Sequence, residues 1–300
     1  MGTLEPMAEF SYAVSNRLPP APARRMRVVL TGATGYIASQ LVPLFRERYD
    51  LVEIDVRPGD RVRQVNLVQD AVESLRPHFE SAEAVVHLGY FRPQGLAASG
   101  AGKSYLDERP NVDMAERVYR LSLDCGARRV VVASSNHAAD WYEQVIHTGR
   151  LDMVGPQDLP KSDNYYGWAK VAYEALGFTY ACGAFGRKLE VVQVRIGAPR
   201  EIVAAQFEGR PAEYKRDLGA YISTRDLQQL FVRSIETDTI EDEWGVPFQI
   251  FYGISNNARA FWSIANARRL IGYAPQDDSE TRYAADIARL LAGSPGRLGP

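Results

Sequence analysis

With only two cysteines in 300 residues, Cys125 and Cys182, the chain has neither a disulfide framework nor cysteine spacing for a metal. His78 and His147 have no cysteine or carboxylate partners at ligand spacing, so no metal site is expected. There is no run of 18 apolar residues to form a membrane-crossing helix, and residues 1–25 lack the apolar stretch of a secretion signal. Charge of one sign is missing too. With 35 basic and 37 acidic residues interspersed and a net charge of −2, there is no electrostatic footprint for nucleic acid or an anionic membrane. The expectation is a cytoplasmic protein with reduced thiols. Gly100-Ala101-Gly102-Lys103-Ser104 imitates a phosphate loop, but Ala97 stands where its first glycine belongs and no buried strand leads into it, which excludes a nucleoside-triphosphatase.

What is present suits a packed core: 46% of residues are hydrophobic and 24% charged, in a chain long enough for one large domain or one and a half. Apolar runs read as strands at 27–31, 51–55, 84–88, 129–134 and 189–196. Helical patterns at 36–48, 70–79, 111–126 and 165–182 alternate with them, which is the signature of an α/β doubly wound parallel sheet. The unbroken runs Ala84-Val85-Val86 and Val130-Val131-Val132-Ala133 suit strands covered on both faces. Beyond Gly197 the pattern is less regular, with a strand Ala220-Tyr221-Ile222-Ser223, a helix at 224–236, a strand at 248–253 and a helix at 261–271. Residues 1–25, with Pro19, Pro20 and Pro22, read as a loose arm. Residues 26–197 read as a dinucleotide-binding domain, and 198–300 as a smaller substrate-binding portion packed on it.

The strand Arg27-Val28-Val29-Leu30 runs into Thr31-Gly32-Ala33-Thr34-Gly35-Tyr36-Ile37-Ala38. Gly32 and Gly35 let the backbone turn tightly and approach a pyrophosphate, which would rest on the amides and positive dipole end of the following helix. Twenty residues after Gly35, Asp55 ends the second strand, where a carboxylate can accept bonds from both ribose hydroxyls of an adenosine. That favours NAD. Arg57 offsets part of the repulsion toward the extra phosphate of NADP.

Ser135 and Tyr166-Gly167-Trp168-Ala169-Lys170 supply a hydroxyl, a phenol and an ammonium. On a helix, Tyr166 and Lys170 share one face about 5–6 Å apart at Cβ. A phenol of ordinary pKa near 10 is a poor base at neutral pH, and a neighbouring cation favours its ionised form. Gly32, Asp55, Gly89 and Ser135 all fall at carboxyl ends of strands, where such sheets bind ligands.

Together, Thr31-Gly32, Gly35, Ala38, Asp55, Val86-His87-Leu88-Gly89, Asn111, Ser134-Ser135, Tyr166, Lys170 and Val194-Arg195-Ile196-Gly197 resemble the extended short-chain dehydrogenase/reductase superfamily, also called the NAD-dependent epimerase/dehydratase superfamily, over residues 26–275. Within it, Ala133-Ser134-Ser135-Asn136-His137 and the flanking motifs are similar to uronate dehydrogenases, which oxidise the C1 hemiacetal hydroxyl of glucuronate or galacturonate to an aldarolactone. The resemblance implies a Rossmann-like fold with NAD held by Gly32, Gly35, Tyr36, Ile37, Asp55, Asn66, Leu67, Leu88, Gly89, Tyr166 and Lys170. It implies that Tyr166, as phenolate, accepts the C1 hydroxyl proton while Ser135 orients the reacting oxygen. Lys170 then lowers the tyrosine pKa and holds the nicotinamide ribose.

Asn136 and His137 would bond sugar hydroxyls, and Arg216 would meet the substrate carboxylate, with Arg210 or Arg200 as alternatives. Two serines of uronate dehydrogenases are replaced by Arg92 and Ala198, and Asn66 stands where an acid is usual. The 90–110 segment is longer, either a solvated loop or a gate over an anionic substrate. Homodimers or higher homo-oligomers through the helices at 111–126 and 165–182 are expected. Alternatives are an aldose or sugar-phosphate 1-dehydrogenase and a nucleotide-sugar epimerase or dehydratase. The third reading is a non-catalytic dinucleotide sensor, against which the intact Ser135, Tyr166 and Lys170 argue.

Overall fold

Seven parallel strands form one sheet in the order β3-β2-β1-β4-β5-β6-β7. They are β1 (Arg27–Thr31), β2 (Asp50–Asp55), β3 (Val62–Gln64), β4 (Ala84–His87), β5 (Arg129–Ser135), β6 (Glu190–Ile196) and β7 (Phe248–Gly253). The helices are α1 (Tyr36–Arg48), α2 (Val72–Phe79), α3 (Tyr105–Asp124), α4 (Glu143–His147), α5 (Tyr165–Ala181), α6 (Pro211–Ala220), α7 (Thr224–Glu236), α8 (Ala265–Ile271), α9 (Ser279–Arg282) and α10 (Ala284–Leu290). The structure, a computed structural model, describes residues 18–92, 103–294 and 296.

Alternation along each strand splits the core in two. Val28 and Leu30 of β1 pack with Leu41 and Phe45 of α1 and Leu227 and Phe231 of α7. Val29, between them, faces Leu75 of α2, Val118 of α3 and Tyr173 of α5 on the other side. Because β1 pairs with β2 on one edge and β4 on the other, the strand order reverses there and opens a crevice beyond their carboxyl ends.

The C-terminal third does more than pack beside the sheet. Its β7 extends it, with Val191 opposite Phe248. Its α7 joins the main core, and a separate satellite cluster of Ile202, Tyr214, Leu218, Tyr221, Tyr283 and Leu291 lies in the same region.

Several boundaries differ from the sequence reading. β3 was not anticipated, being three residues long with only Val62 half-buried. Helix α3 begins at Tyr105 instead of 111 because Ser104 and Asp107 form a capping box: Ser104 Oγ accepts from the Asp107 amide at 3.2 Å, and Asp107 Oδ2 accepts from the Ser104 amide at 3.0 Å. Pro110 lies inside the helix. The expected strand at Ala220–Ser223 is instead the end of α6 followed by a single bridge between Tyr221 and Ala198. The last expected helix starts at Ala265, not 261.

Residues 18–25 have no regular element. Leu18 packs on the core, Arg48 donates to the Pro20 carbonyl at 3.0 Å, and Arg24 pairs with Glu83. The remainder of the expected arm, residues 1–17, and most of the expected gate, residues 93–102, lie outside the described residues. Among the described residues no helix is long and apolar enough to cross a membrane, and no cluster of His, Cys, Asp or Glu suits a metal ion.

Candidate active site

The crevice is a cleft of about 1040 Å³ walled by the segments that follow β1, β2, β4, β5 and β6. At its floor Gly32 turns with φ of +71°, and a Cβ there would lie 2.7 Å from the Gly89 amide nitrogen. Two backbones meet where no side chain fits. Helix α1 starts at Gly35 without a side-chain cap or an acid in its first turn, leaving its first amides and dipole end open to an anion. A dinucleotide pyrophosphate fits that arrangement.

Asp55, 8% exposed, accepts from the amides of Thr34 at 3.0 Å and Arg57 at 2.9 Å. These bonds hold the carboxylate at the rim of the glycine turn, with lone pairs left for ribose hydroxyls. Asn66 lines the same end, but its carboxamide oxygen is engaged by the amides of Val68 and Gln69, closing a local turn. Tyr36, Ile37, Leu67, Leu88 and Gly89 also face the cleft.

At the other end stand Ser135, Tyr166 and Lys170. Asn164 caps α5 by accepting from the Gly167 amide at 2.8 Å. Gly167 is required for contact, since a Cβ on it would lie 2.0 Å from the His137 carbonyl oxygen. The absent side chain lets the first turn of α5 press against the segment after β5. Beneath them a buried pair locks α5 to the sheet. Arg195 donates to Glu174 at 2.9 and 2.7 Å and to the Tyr252 hydroxyl at 2.9 Å, while Ser134 Oγ donates to Glu174 at 2.6 Å.

Tyr166 is partly exposed on the cleft wall, yet burial is the largest influence on its phenol and pushes the pKa up to about 12. A hydrogen bond with Ser135 pulls it down, the Glu108 carboxylate pushes it up, and Arg92 pulls it down. The expected lowering by Lys170 is therefore not found. Its Nζ donates to the Ala133 carbonyl at 2.9 Å and sits 5.2 Å from the centre of the Tyr166 ring, so its proton is aimed at the backbone.

Burial also lowers the Lys170 pKa from 10.5 to about 8, against the opposing pull of Glu108 and Glu174. That displacement corresponds to roughly 3 kcal/mol of cost for the buried ammonium. Lys170→Met is accordingly expected to raise thermal stability at pH 7 while abolishing activity, since the Tyr173 hydroxyl still donates to Ala133 at 3.3 Å. The ammonium penalty is fully present below pH 8 and fades as the folded lysine loses its proton between pH 8 and 10.5. Melting curves across that range should show the gap between variant and wild type narrowing; a variant less stable than wild type at pH 7 would contradict the argument.

His137 lines the cleft, but Asn136 and Arg216 do not. Asn136 is 2% exposed, with its amide oriented to donate to the Ile196 carbonyl at 3.0 Å and accept from Arg216 Nη2 at 2.8 Å. Arg216 is gripped by Glu143 of α4, with Nη2–Oε1 at 2.9 Å and Nε–Oε2 at 3.1 Å, and by Asp217 at 3.2 Å. Two carboxylates thus already neutralise, behind the cleft wall, the guanidinium expected to clamp the substrate anion. The alternatives are paired as well, Arg200 with Asp217 at 2.7 Å and Arg210 with Glu213 at 2.6 Å. Among the described residues two exposed guanidiniums line the cleft, Arg57 beside Asp55 and Arg92 near enough to Tyr166 to pull its pKa down.

Tyr90, Glu108, Asp140 and Asn164 escaped the sequence reading. Tyr90 packs edge-on to Tyr166 with ring centres 5.5 Å apart, and its hydroxyl donates to the buried Glu108 at 2.6 Å. Glu108 also accepts from Asn111, which fixes the Phe91 backbone from both sides. Asp140 accepts from His137 Nδ1 at 2.8 Å and from Asn164 Nδ2 at 2.7 Å. The i, i+3 spacing of His137 and Asp140 was the available signal; Tyr90 and Glu108 fell in a stretch read as loop.

A dinucleotide crevice ending in a serine, tyrosine and lysine defines the oxidoreductase class of doubly wound proteins. The chain belongs to the NAD dependent epimerase/dehydratase family, whose model matches residues 28–196, and it is an NAD-dependent oxidoreductase. It is 32% identical to an NAD-dependent glucose-6-phosphate dehydrogenase of Haloferax volcanii over 84% of this chain and 94% of that one. It is 28% identical to a uronate dehydrogenase of Pseudomonas putida over 86% and 87%. An NAD complex of a uronate dehydrogenase variant from Agrobacterium tumefaciens superposes with a TM-score of 0.65 at 22% identity, covering 91% of each chain.

Proposed function

We propose that the protein oxidises the C1 hemiacetal hydroxyl of an anionic aldose to the lactone, with a hexuronate of the glucuronate or galacturonate type as substrate. The observation that carries this reading is the meeting of Ser135, Tyr166 and Lys170 with His137 and the exposed Arg92 on one cleft wall. NAD would be held by the glycine turn, the start of α1 and Asp55, and would supply the hydride acceptor and a positive charge. Ser135 donates to and orients the C1 oxygen. Tyr166, as phenolate, receives its proton, and a positive charge in the cleft would oppose the burial that otherwise keeps the phenol protonated. His137 accepts from a sugar hydroxyl, and Arg92 offers two parallel donors to the anion.

An aldose phosphate is the second reading. It is supported by the same guanidinium on the exposed rim and by the Haloferax volcanii relative. Hexuronates, glucose 6-phosphate and neutral aldoses offered with NAD, with NADH absorbance as readout, test both; preference for a neutral aldose would reject the anionic substrate. In the same assay Arg92→Ala is expected to raise KM for the anionic sugar about tenfold or more, with little change for neutral sugars. Arg216→Ala should instead strand Glu143, cost about 2 kcal/mol of stability, and affect charged and neutral sugars alike. A selective effect of Arg216→Ala would return it to the anion. Association through α3 and α5, which expose Leu106, Trp168 and Phe178, is proposed as the homodimer contact and is measured by light scattering.

A further inference from the structure

His137 carries more apparatus than a sugar contact needs. Asp140 Oδ2 accepts from His137 Nδ1 at 2.8 Å, and because a carboxylate only accepts, Nδ1 bears the hydrogen and Nε2 is left as a base. Asn164 Nδ2 donates to the same oxygen at 2.7 Å and caps α5, so the pair is tied to the helix that carries Tyr166. The imidazole stands 5.5 Å from the Tyr166 ring, centre to centre, and 43% of its side chain is open to water. Across from it, Ser135 and Tyr166 line the same cleft, with the Ser135 hydroxyl near enough to pull the Tyr166 pKa down, at the place proposed for the C1 oxygen. A base oriented by a carboxylate, two hydroxyl donors converging on one oxygen and access for water are the parts that ester hydrolysis requires.

We propose that this cleft also opens the lactone that its oxidation forms, with His137 as general base and Asp140 as its positioning residue. The inference rests on the oxidation proposed above, which is what places a lactone there. After oxidation Tyr166 holds the proton taken from C1, so it and Ser135 both donate to the new carbonyl oxygen. His137 Nε2 takes a proton from water as the water oxygen bonds to C1, and the charge that develops on the carbonyl oxygen is met by the two hydroxyls. Asp140 stabilises the imidazolium. The bond from C1 to the ring oxygen then breaks, the ring oxygen takes the proton from His137 Nε2, and the open-chain acid ionises on release. No oxidant beyond that of the first step is consumed.

Protons per NADH decide the matter. Oxidation alone releases one proton with each NADH, and opening the lactone releases a second. In a weakly buffered, mildly acidic solution, where free lactone opens slowly, the wild-type protein with NAD and the best sugar of the panel is expected to release two protons per NADH from the first turnovers. His137→Asn and Asp140→Asn should slow the opening on the order of a hundredfold, giving one proton per NADH at first and a second only at the rate of opening in solution. A purely structural role for Asp140 would lower NADH and proton release together and leave their ratio at two, which would overturn the assignment. One proton per NADH with a lag in the wild-type protein would also overturn it while leaving the oxidation intact. No NADH from any sugar would remove the lactone and both readings together.

Discussion

Tyr166→Phe is expected to lower kcat on the order of a thousandfold while leaving NAD affinity within about twofold. The substitution deletes the oxygen proposed to take the C1 proton and keeps the ring, which packs edge-on against Tyr90 and His137 and lies 5.2 Å from Lys170 Nζ. Fold and cofactor cleft should therefore survive, and steady-state turnover with a fluorescence titration of NADH separates the two effects. More than a few per cent of activity remaining would hand the base role to His137, whose ring also packs edge-on against Tyr166. Tyr165 is no substitute, being 46% exposed and absent from the cleft wall.

Gly32→Ala should remove cofactor binding. At φ of +71° a non-glycine residue costs about 1–2 kcal/mol, and here the added Cβ would also lie 2.7 Å from the Gly89 nitrogen and 2.8 Å from the Leu88 carbonyl carbon. Neither contact is a flexible side chain that can swing away. The β1–α1 turn and the end of β4 must part, and the open first amides of α1 no longer face the rest of the cleft. NAD affinity should fall by a factor on the order of a hundred, with a melting temperature several degrees lower. Retention of wild-type affinity would show that the turn does not cradle the pyrophosphate.

Much of this was legible along the chain because it depends on local period and spacing. Val28, Val29 and Leu30 followed by Gly32 and Gly35 specify a buried strand, a tight turn and an uncapped helix start from adjacent residues. Tyr166 and Lys170 share a helical face because they are four apart, and Asp55 ends its strand at the crevice because β2 pairs in parallel with β1. Where the reading missed, the cause was often local chemistry given too little weight: the Ser104–Asp107 capping box outweighs Pro110 and starts α3 early.

Tertiary structure alone decided what each charged side chain is free to do. Arg216 was a sound anion clamp by residue type and position, but Glu143, 73 residues earlier in the chain, neutralises it and leaves Arg92 on the wall. Lys170 stands beside Tyr166 as spacing required, yet burial and the Ala133 carbonyl set its pKa and aim its proton away from the phenol. Gly167 is needed because the His137 carbonyl, thirty residues earlier, lies where its side chain would be. Periodicity determines which face of an element is buried; desolvation, pairing and close approach depend on neighbours distant in sequence, and they settled this site only when the sheet brought those neighbours together.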